Sequence, residues 1–310
     1  MAWWDRWRSG RPDAPDGDGT TLLAGRYRLG PLRAEGAQGR VHEAHDLRLG
    51  GPVMAKLVRL PGTPSLDARA GWLARMQREG EIARQIAHPD VLRVLDGGML
   101  DDQAWLITEA VQGHDLTRYT HRARLLPDAL VLRLSARVAH ALSHAHEQGV
   151  IHRDLKPANV LVDLVHDAVK VADFGVAHMA GTSLTCSGLL LGTPAYMAPE
   201  LLAGAPPTPA CDAWSLGVLT YELLSARRPH QASSLTELLL ATTHQPAHPL
   251  QALRPDLPES ICAHVTALLA ADPARRPLPL ADWALAAAGL ASAIERATGN
   301  RHPANPVLTG

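Results

Sequence analysis

The sequence predicts an α+β chain, with strands gathered toward the N-terminus and helices dominating after about residue 129. Three observations carry that reading. Arg26 to Asp46 alternates as a strand, a glycine turn and a second strand. From Ala129 to Gln148, Leu130, Leu134, Val138, Ala141, Leu142 and Ala145 fall on one face of a helix. Next comes a short polar loop, His152-Arg153-Asp154-Leu155-Lys156-Pro157-Ala158-Asn159, pinned between the apolar runs Val150-Ile151 and Val160-Leu161-Val162.

The totals bound the rest. At 310 residues the chain is long enough for one large domain or two lobes with a sizeable core. Basic and acidic residues nearly balance, 30 against 31, which argues against a general nucleic-acid binder. The single Phe is Phe174, inside an Asp-Phe-Gly turn, which points to a specific packing role there. Cys186, Cys211 and Cys262 show no metal or disulfide spacing and suit a reducing cytoplasm. No run of 18 apolar residues and no secretory signal stands out, so no membrane span is expected.

Taken in order, residues 1–24 begin with a segment carrying Trp3, Trp4 and Trp7 among arginines, followed by a Gly/Pro/Asp-rich linker. The tryptophans would suit a membrane surface or a docking partner, but composition favours a plain tail. The turn Ala34-Glu35-Gly36-Ala37-Gln38-Gly39-Arg40-Val41 leads to a short strand, Val53-Met54-Ala55-Lys56. Leu66 to Ile86 has helical spacing and supplies Glu79 and Glu81, which lie roughly 200° apart around a helix. Ala104 to Val111 reads as a strand, and Gly149 closes the helix over 129–148. His140, His144 and His146 on that helix lack the carboxylate or cysteine company of a zinc site. Fourteen residues after Asn159, Asp173-Phe174-Gly175 follows another apolar run, Val169 and Val171. A helix is expected from Asp212, as N-cap, to about Leu224. Shorter helices are expected over 235–244, 260–271 and 280 to about 291, with a polar tail over 292–310.

A loop Asp and Asn, with a second Asp on a following turn, is an arrangement that handles a phosphoryl donor with a divalent metal. These residues resemble the catalytic loop and metal-binding turn of protein kinases, specifically the bacterial eukaryotic-like Ser/Thr group. The resemblance spans roughly residues 26 to 290. It implies a two-lobed kinase fold: a small, mainly β N-lobe with one main helix (25–111 with the hinge) and a larger, mainly helical C-lobe (112–291). The phosphate-covering loop would be Ala34, Gly36 and Gly39, with Ala34 replacing the usual first glycine. Lys56 would hold the α- and β-phosphates and be fixed by Glu79. Thr108 would be the gatekeeper, the backbones of Glu109 and Val111 would face adenine, and Val41, Ala55 and Leu161 would sandwich the ring. Asp154 would take the proton of the incoming hydroxyl, Lys156 would sit by the γ-phosphate, and Asn159 and Asp173 would hold magnesium, or manganese in its place. ATP is the implied cofactor.

The segment from Asp173 to Ala198-Pro199-Glu200 resembles an activation segment, with Gly192-Thr193-Pro194-Ala195-Tyr196 as its substrate-docking loop. Arg153, with Lys170 one strand away, would receive a phosphate on that segment. Thr185 and Ser187, eight and six residues before Thr193, are the first candidates to carry it, and Thr182 and Ser183 the next. Asp212 would brace the catalytic loop, and Arg276 would pair with Glu200. Many relatives in that group continue into a membrane span and a sensor, and this chain is expected to be soluble and cytoplasmic. The implied function is ATP-dependent transfer to Ser/Thr hydroxyls of protein substrates, including the chain's own activation segment. Phosphothreonine-reading domains and a cognate phosphatase are implied partners. The rival readings are a catalytically weak pseudokinase scaffold and a small-molecule phosphotransferase. The intact set Lys56, Glu79, Asp154, Asn159 and Asp173 argues against the first, and the Ala-Pro-Glu element against the second.

Overall fold

A computed structural model describes residues 22–36, 39–59, 84–100, 103–174 and 194–297. The chain forms two compact units that are not consecutive stretches. Among the described residues, the first combines those up to His114 with 147–154, 161–174 and Pro194, and the second combines 115–146, 155–160 and 195–297.

The first unit is built on a six-stranded sheet of β1 (Leu22–Leu23), β2 (Tyr27–Gly36), β3 (Gly39–Asp46), β4 (Gly51–Arg59), β5 (Val94–Leu100) and β6 (Gln103–Glu109). Their spatial order is β1-β2-β3-β4-β6-β5, with antiparallel pairing throughout. Side chains alternate across a strand, and one face gathers Leu23, Tyr27, Ala44, Val53, Ala55, Trp105 and Ile107 into a core. A buried polar knot ties the start of this sheet together. Arg26 donates to both oxygens of Asp46, at 2.9 and 2.6 Å, and to Asp96 at 3.2 Å, while the Tyr27 hydroxyl donates to Asp96 at 2.6 Å. The Arg26 guanidinium, with backbone N–H groups of Arg48 and Leu49, holds the Asp46 carboxyl down at about 2. The turn after β2 requires glycine at 39: φ is +113°, and a Cβ there would stand 2.1 Å from the Leu57 carbonyl oxygen. A second sheet, in the order β7-β8-β9, joins β7 (His114–Asp115), β8 (Val160–Asp163) and β9 (Ala168–Val171).

The second unit is helical. Helix α1 (Asp128–Glu147) buries Val131, Leu132, Leu134, Val138, Leu142 and Ala145 and ends at Gly149, where φ is +74°. After the single turn α2 (Pro199–Leu202), α3 (Pro209–Ser225) is buried on nearly every side, as an apolar helix at the centre of a core must be. Gly217 lets it approach closely: a Cβ there would lie 2.8 Å from the Leu268 Cβ. The remaining helices are α4 (Leu235–His244), α5 (Leu250–Leu253), α6 (Glu259–Ala267) and α7 (Leu280–Ala297). Among the described residues no helix is long and apolar enough to cross a membrane.

Most expected elements stand within a few residues of their expected bounds, and three points differ. Helix α3 starts at Pro209, with Thr208 at the N-cap position, so Asp212 lies inside the helix and does not cap it. The sequence signal for this start is Thr208-Pro209, a cap residue followed by proline in the first turn. The last helix runs to Ala297, beyond the expected end near Ala291, and Glu295 on it pairs with Arg133 at 2.6 Å. Of the helix expected over 66–86, only Arg84 and Gln85 are helical among the described residues, and Glu79 and Glu81 lie outside them.

Candidate active site

Lysine 56 organises the site of the first unit. In the β3–β4–β6 register it stands opposite Val41 and Leu106, so these three side chains share a face. Its Nζ lies 2.7 Å from Asp173 Oδ2, with side chains 12% and 17% exposed. Residues 117 positions apart thus form one shielded ion pair. Val91, Leu92, Val94, Leu106 and Thr108 line a small pocket with Asp173 and Phe174.

One expected contact is corrected here. Ala55, next to Lys56 on an extended strand, points to the opposite face, where it is fully buried in the core with Tyr27, Trp105 and Ile107. It cannot lie against a ring on the Lys56 side. Met54 takes that place, opposite Thr108. Period-two alternation counted from Lys56 would have named it.

His152 joins the two loops that carry carboxylates in this unit. It is fully buried, and its Nε2 donates to the Ala172 carbonyl oxygen at 2.8 Å. That bond puts the proton on Nε2, which leaves Nδ1 to accept the Asp154 N–H at 3.3 Å. Its ring tilts against Phe174, centroids 4.7 Å apart. The lone Phe of the sequence therefore does have a specific packing role. Arg153 and Asp173 both adopt positive φ, +69° and +63°, beside this histidine. Arg153 is half-buried. Lys170, one strand away, is bound to Glu109 Oε1 at 2.7 Å. Ala34, Gly36, Gly39 and Val41 lie on the β2–β3 hairpin, Thr108 and Glu109 end β6, Val111 follows it, and Leu161 lies on β8.

In the second unit, Lys156 precedes a tight turn, Pro157–Asn159, in which the Asn159 N–H donates to the Lys156 carbonyl at 2.9 Å. Asn159 is 4% exposed. Asp212, fully buried, receives the Nε2 proton of His146 at 2.7 Å. Glu200 and Arg276 form the expected pair, bidentate at 2.6 and 2.9 Å. Burial pushes the Glu200 carboxyl up, but the guanidinium outweighs it and holds the group below its usual range. Tyr196 donates its hydroxyl to Glu222 on α3, and Ser215 donates to the Tyr196 carbonyl at 2.8 Å. The candidate phosphorylation sites Thr182, Ser183, Thr185 and Ser187 lie outside the described residues, as do Gly175, Gly192 and Thr193.

With this geometry in hand, comparison with known proteins decides the family. The protein kinase domain profile matches residues 30–282. The chain belongs to the protein kinase family. It is 36% identical over 277 residues to the serine/threonine-protein kinase Pkn3 of Myxococcus xanthus, covering 86% of this chain and 50% of that one. It is 33% identical over 260 residues to PknA of Mycobacterium tuberculosis, covering 82% and 58% respectively. The kinase therefore spans about half the length of these relatives. Among solved structures it is similar to the kinase domain of Mycobacterium tuberculosis PknI. The TM-score is 0.67 at 30% identity, covering 85% of this chain and 96% of that one. Both relatives are named Ser/Thr protein kinases, and members of the family use ATP with a divalent metal.

Proposed function

We propose that this kinase transfers the γ-phosphoryl group of Mg-ATP to Ser/Thr hydroxyls of proteins, its own activation segment among them. The observation that supports this most directly is the Lys56–Asp173 pair at 2.7 Å, which holds a cation for phosphate beside a carboxylate for metal. The donor set suits magnesium or manganese: Asp173 and Asn159 offer hard oxygen ligands. Both are mostly shielded, and the Asn159 backbone is fixed in a tight turn.

When bound, Mg-ATP supplies the transferable phosphoryl group and much of the charge neutralisation. The chain's own residues do the rest. Val41, Met54 and Leu161 would bound the adenine ring, and the backbones of Glu109 and Val111 would read its edge. Lys56 would hold the α- and β-phosphates, giving up part of its contact with Asp173. Asp154, its N–H anchored on His152, orients the incoming hydroxyl and accepts its proton, and Lys156 balances charge beside the transferred group. A phosphate on Thr185 or Ser187 would order the activation segment against Arg153. Proteins that read phosphothreonine, an opposing phosphatase and a cytoplasmic setting accompany this reading.

The test is incorporation of labelled γ-phosphate by the purified chain and by a generic basic protein, beside Asp154→Asn. Label on the wild type alone is the expected result, with the modified residues mapped to 182–187. Magnesium-dependent nucleotide binding without any transfer would overturn the catalytic reading in favour of a scaffold.

A further inference from the structure

One carboxylate outside the phosphate and metal contacts holds three segments of the first unit together. Glu109 ends β6, and its Oε1 lies 2.7 Å from Lys170 Nζ on β9. The same oxygen accepts the Arg93 N–H at 2.9 Å, while the Glu109 N–H donates to the Arg93 carbonyl at 3.1 Å. The two charged side chains are 19% and 23% exposed, so this is a mostly shielded pair and not a solvated surface contact. The stretch before β5 is tied to β9 a second time. The Leu92 N–H donates to the Val171 carbonyl at 2.9 Å, and the Val171 N–H to the Asp90 carbonyl at 2.8 Å. Glu109 therefore closes a ring of bonds running from β6 to Arg93, along to β9 and back.

The two ends of that ring lead to opposite ends of the nucleotide site. Glu109 opens the backbone stretch assigned to adenine. Lys170 stands three residues before Asp173, whose carboxylate meets Lys56. A ligand that must reach both ends gains affinity when their separation is set in advance, because less ordering remains to be done on binding. We propose that Lys170, Glu109 and Arg93 form a positioning clamp that fixes the adenine-reading backbone relative to the Lys56–Asp173 pair, and so sets affinity for the nucleoside triphosphate. This rests on the kinase reading above. Lys170 is a positioning residue: its charge is spent on Glu109, not on the ligand.

Lys170→Met removes the clamp's charge, and Lys170→Arg retains it. Dissociation constants for Mg-ATP and for adenosine would be measured by calorimetry on both variants and the wild type, with KM and kcat for transfer and the thermal midpoint alongside. The clamp predicts that Lys170→Met weakens Mg-ATP by about tenfold, equivalent to 1.4 kcal/mol. Adenosine, which engages one end only, should lose clearly less, kcat at saturating ATP should stay within about twofold, and Lys170→Arg should bind like the wild type. Equal losses for adenosine and Mg-ATP would mean local damage at the adenine edge and would overturn the proposal. So would an unchanged Mg-ATP constant with only the thermal midpoint lowered, or a change in kcat alone. Failure of the wild type itself to bind Mg-ATP is a different result, and it would remove the kinase reading on which the clamp depends.

Discussion

Replacing Arg276 by Ala removes a guanidinium whose side chain is fully buried. It gives two bonds to Glu200, at 2.6 and 2.9 Å, one to the Ala210 carbonyl at 2.8 Å and one to the Ala270 carbonyl at 2.9 Å. Its Cζ also lies 5.1 Å from the Trp214 ring centroid. The variant leaves Glu200 with the Cys211 thiol, 3.3 Å away, as a weak donor and strips the Ala210, Ala270 and Ala271 carbonyls of a partner. Breaking a buried ion pair from one side costs about 3–5 kcal/mol. The assay is urea unfolding followed by circular dichroism, reading the midpoint at constant slope.

The sign of the pH dependence follows from Glu200. Its folded carboxyl titrates below the unfolded value of about 4.3, so its stabilisation is complete above that pH and is lost as pH falls through the lower folded value. The gap between wild type and Arg276→Ala should therefore narrow in acid. A double variant, Arg276→Met with Glu200→Leu, removes both charges and should recover much of the loss, since an apolar pair escapes the desolvation cost. A loss below about 1 kcal/mol at pH 7, or a double variant no better than the single one, would refute the assignment of the cost to an uncompensated charge.

Two further outcomes are expected. Met54→Ala should weaken Mg-ATP several-fold with little change in stability, whereas Ala55→Met should overpack the core and cost about 1–3 kcal/mol, with nucleotide affinity of the folded fraction unchanged; calorimetry and urea unfolding separate the two. Asp46→Asn should destabilise the first unit at neutral pH, because Arg26 holds that carboxyl down at about 2. Its contribution is present above the ordinary carboxylate value near 3.8 and is lost as pH falls toward 2, so wild type and variant should converge there.

The order of the elements was legible because each is specified locally. A glycine turn needs Gly39 at its φ of +113°, a helix ends at Gly149, and an apolar stripe marks α1. What local pattern alone did not give falls into two kinds. Met54 and the Thr208-Pro209 start of α3 are both legible locally, from period-two alternation and from capping chemistry, although motif spacing points to Ala55 and Asp212. Lys170 was different. A lysine one strand from an arginine invites a shared anion, and nothing near it in the sequence shows that Glu109, 61 residues earlier, already occupies its charge. Side-chain pairing across sheet segments depends on tertiary register, which local pattern does not carry.

The same limit explains why the loops carrying Asp154 and Asp173 are legible by resemblance while their geometry is not. Arg153 and Asp173 sit at φ values that local preference disfavours for residues with a Cβ, a cost of order 1–3 kcal/mol each. Each strained residue adjoins one of the bonds made by His152: Asp154 donates to Nδ1, and the Ala172 carbonyl accepts from Nε2. Phe174 seals the ring from the side. A buried imidazole with both nitrogens engaged can hold two strained turns at once, as neither turn relaxes without orphaning a buried polar group. Local rules fail at these two positions because the fold overrides them there, and the carboxylates of Asp154 and Asp173 are presented by that override.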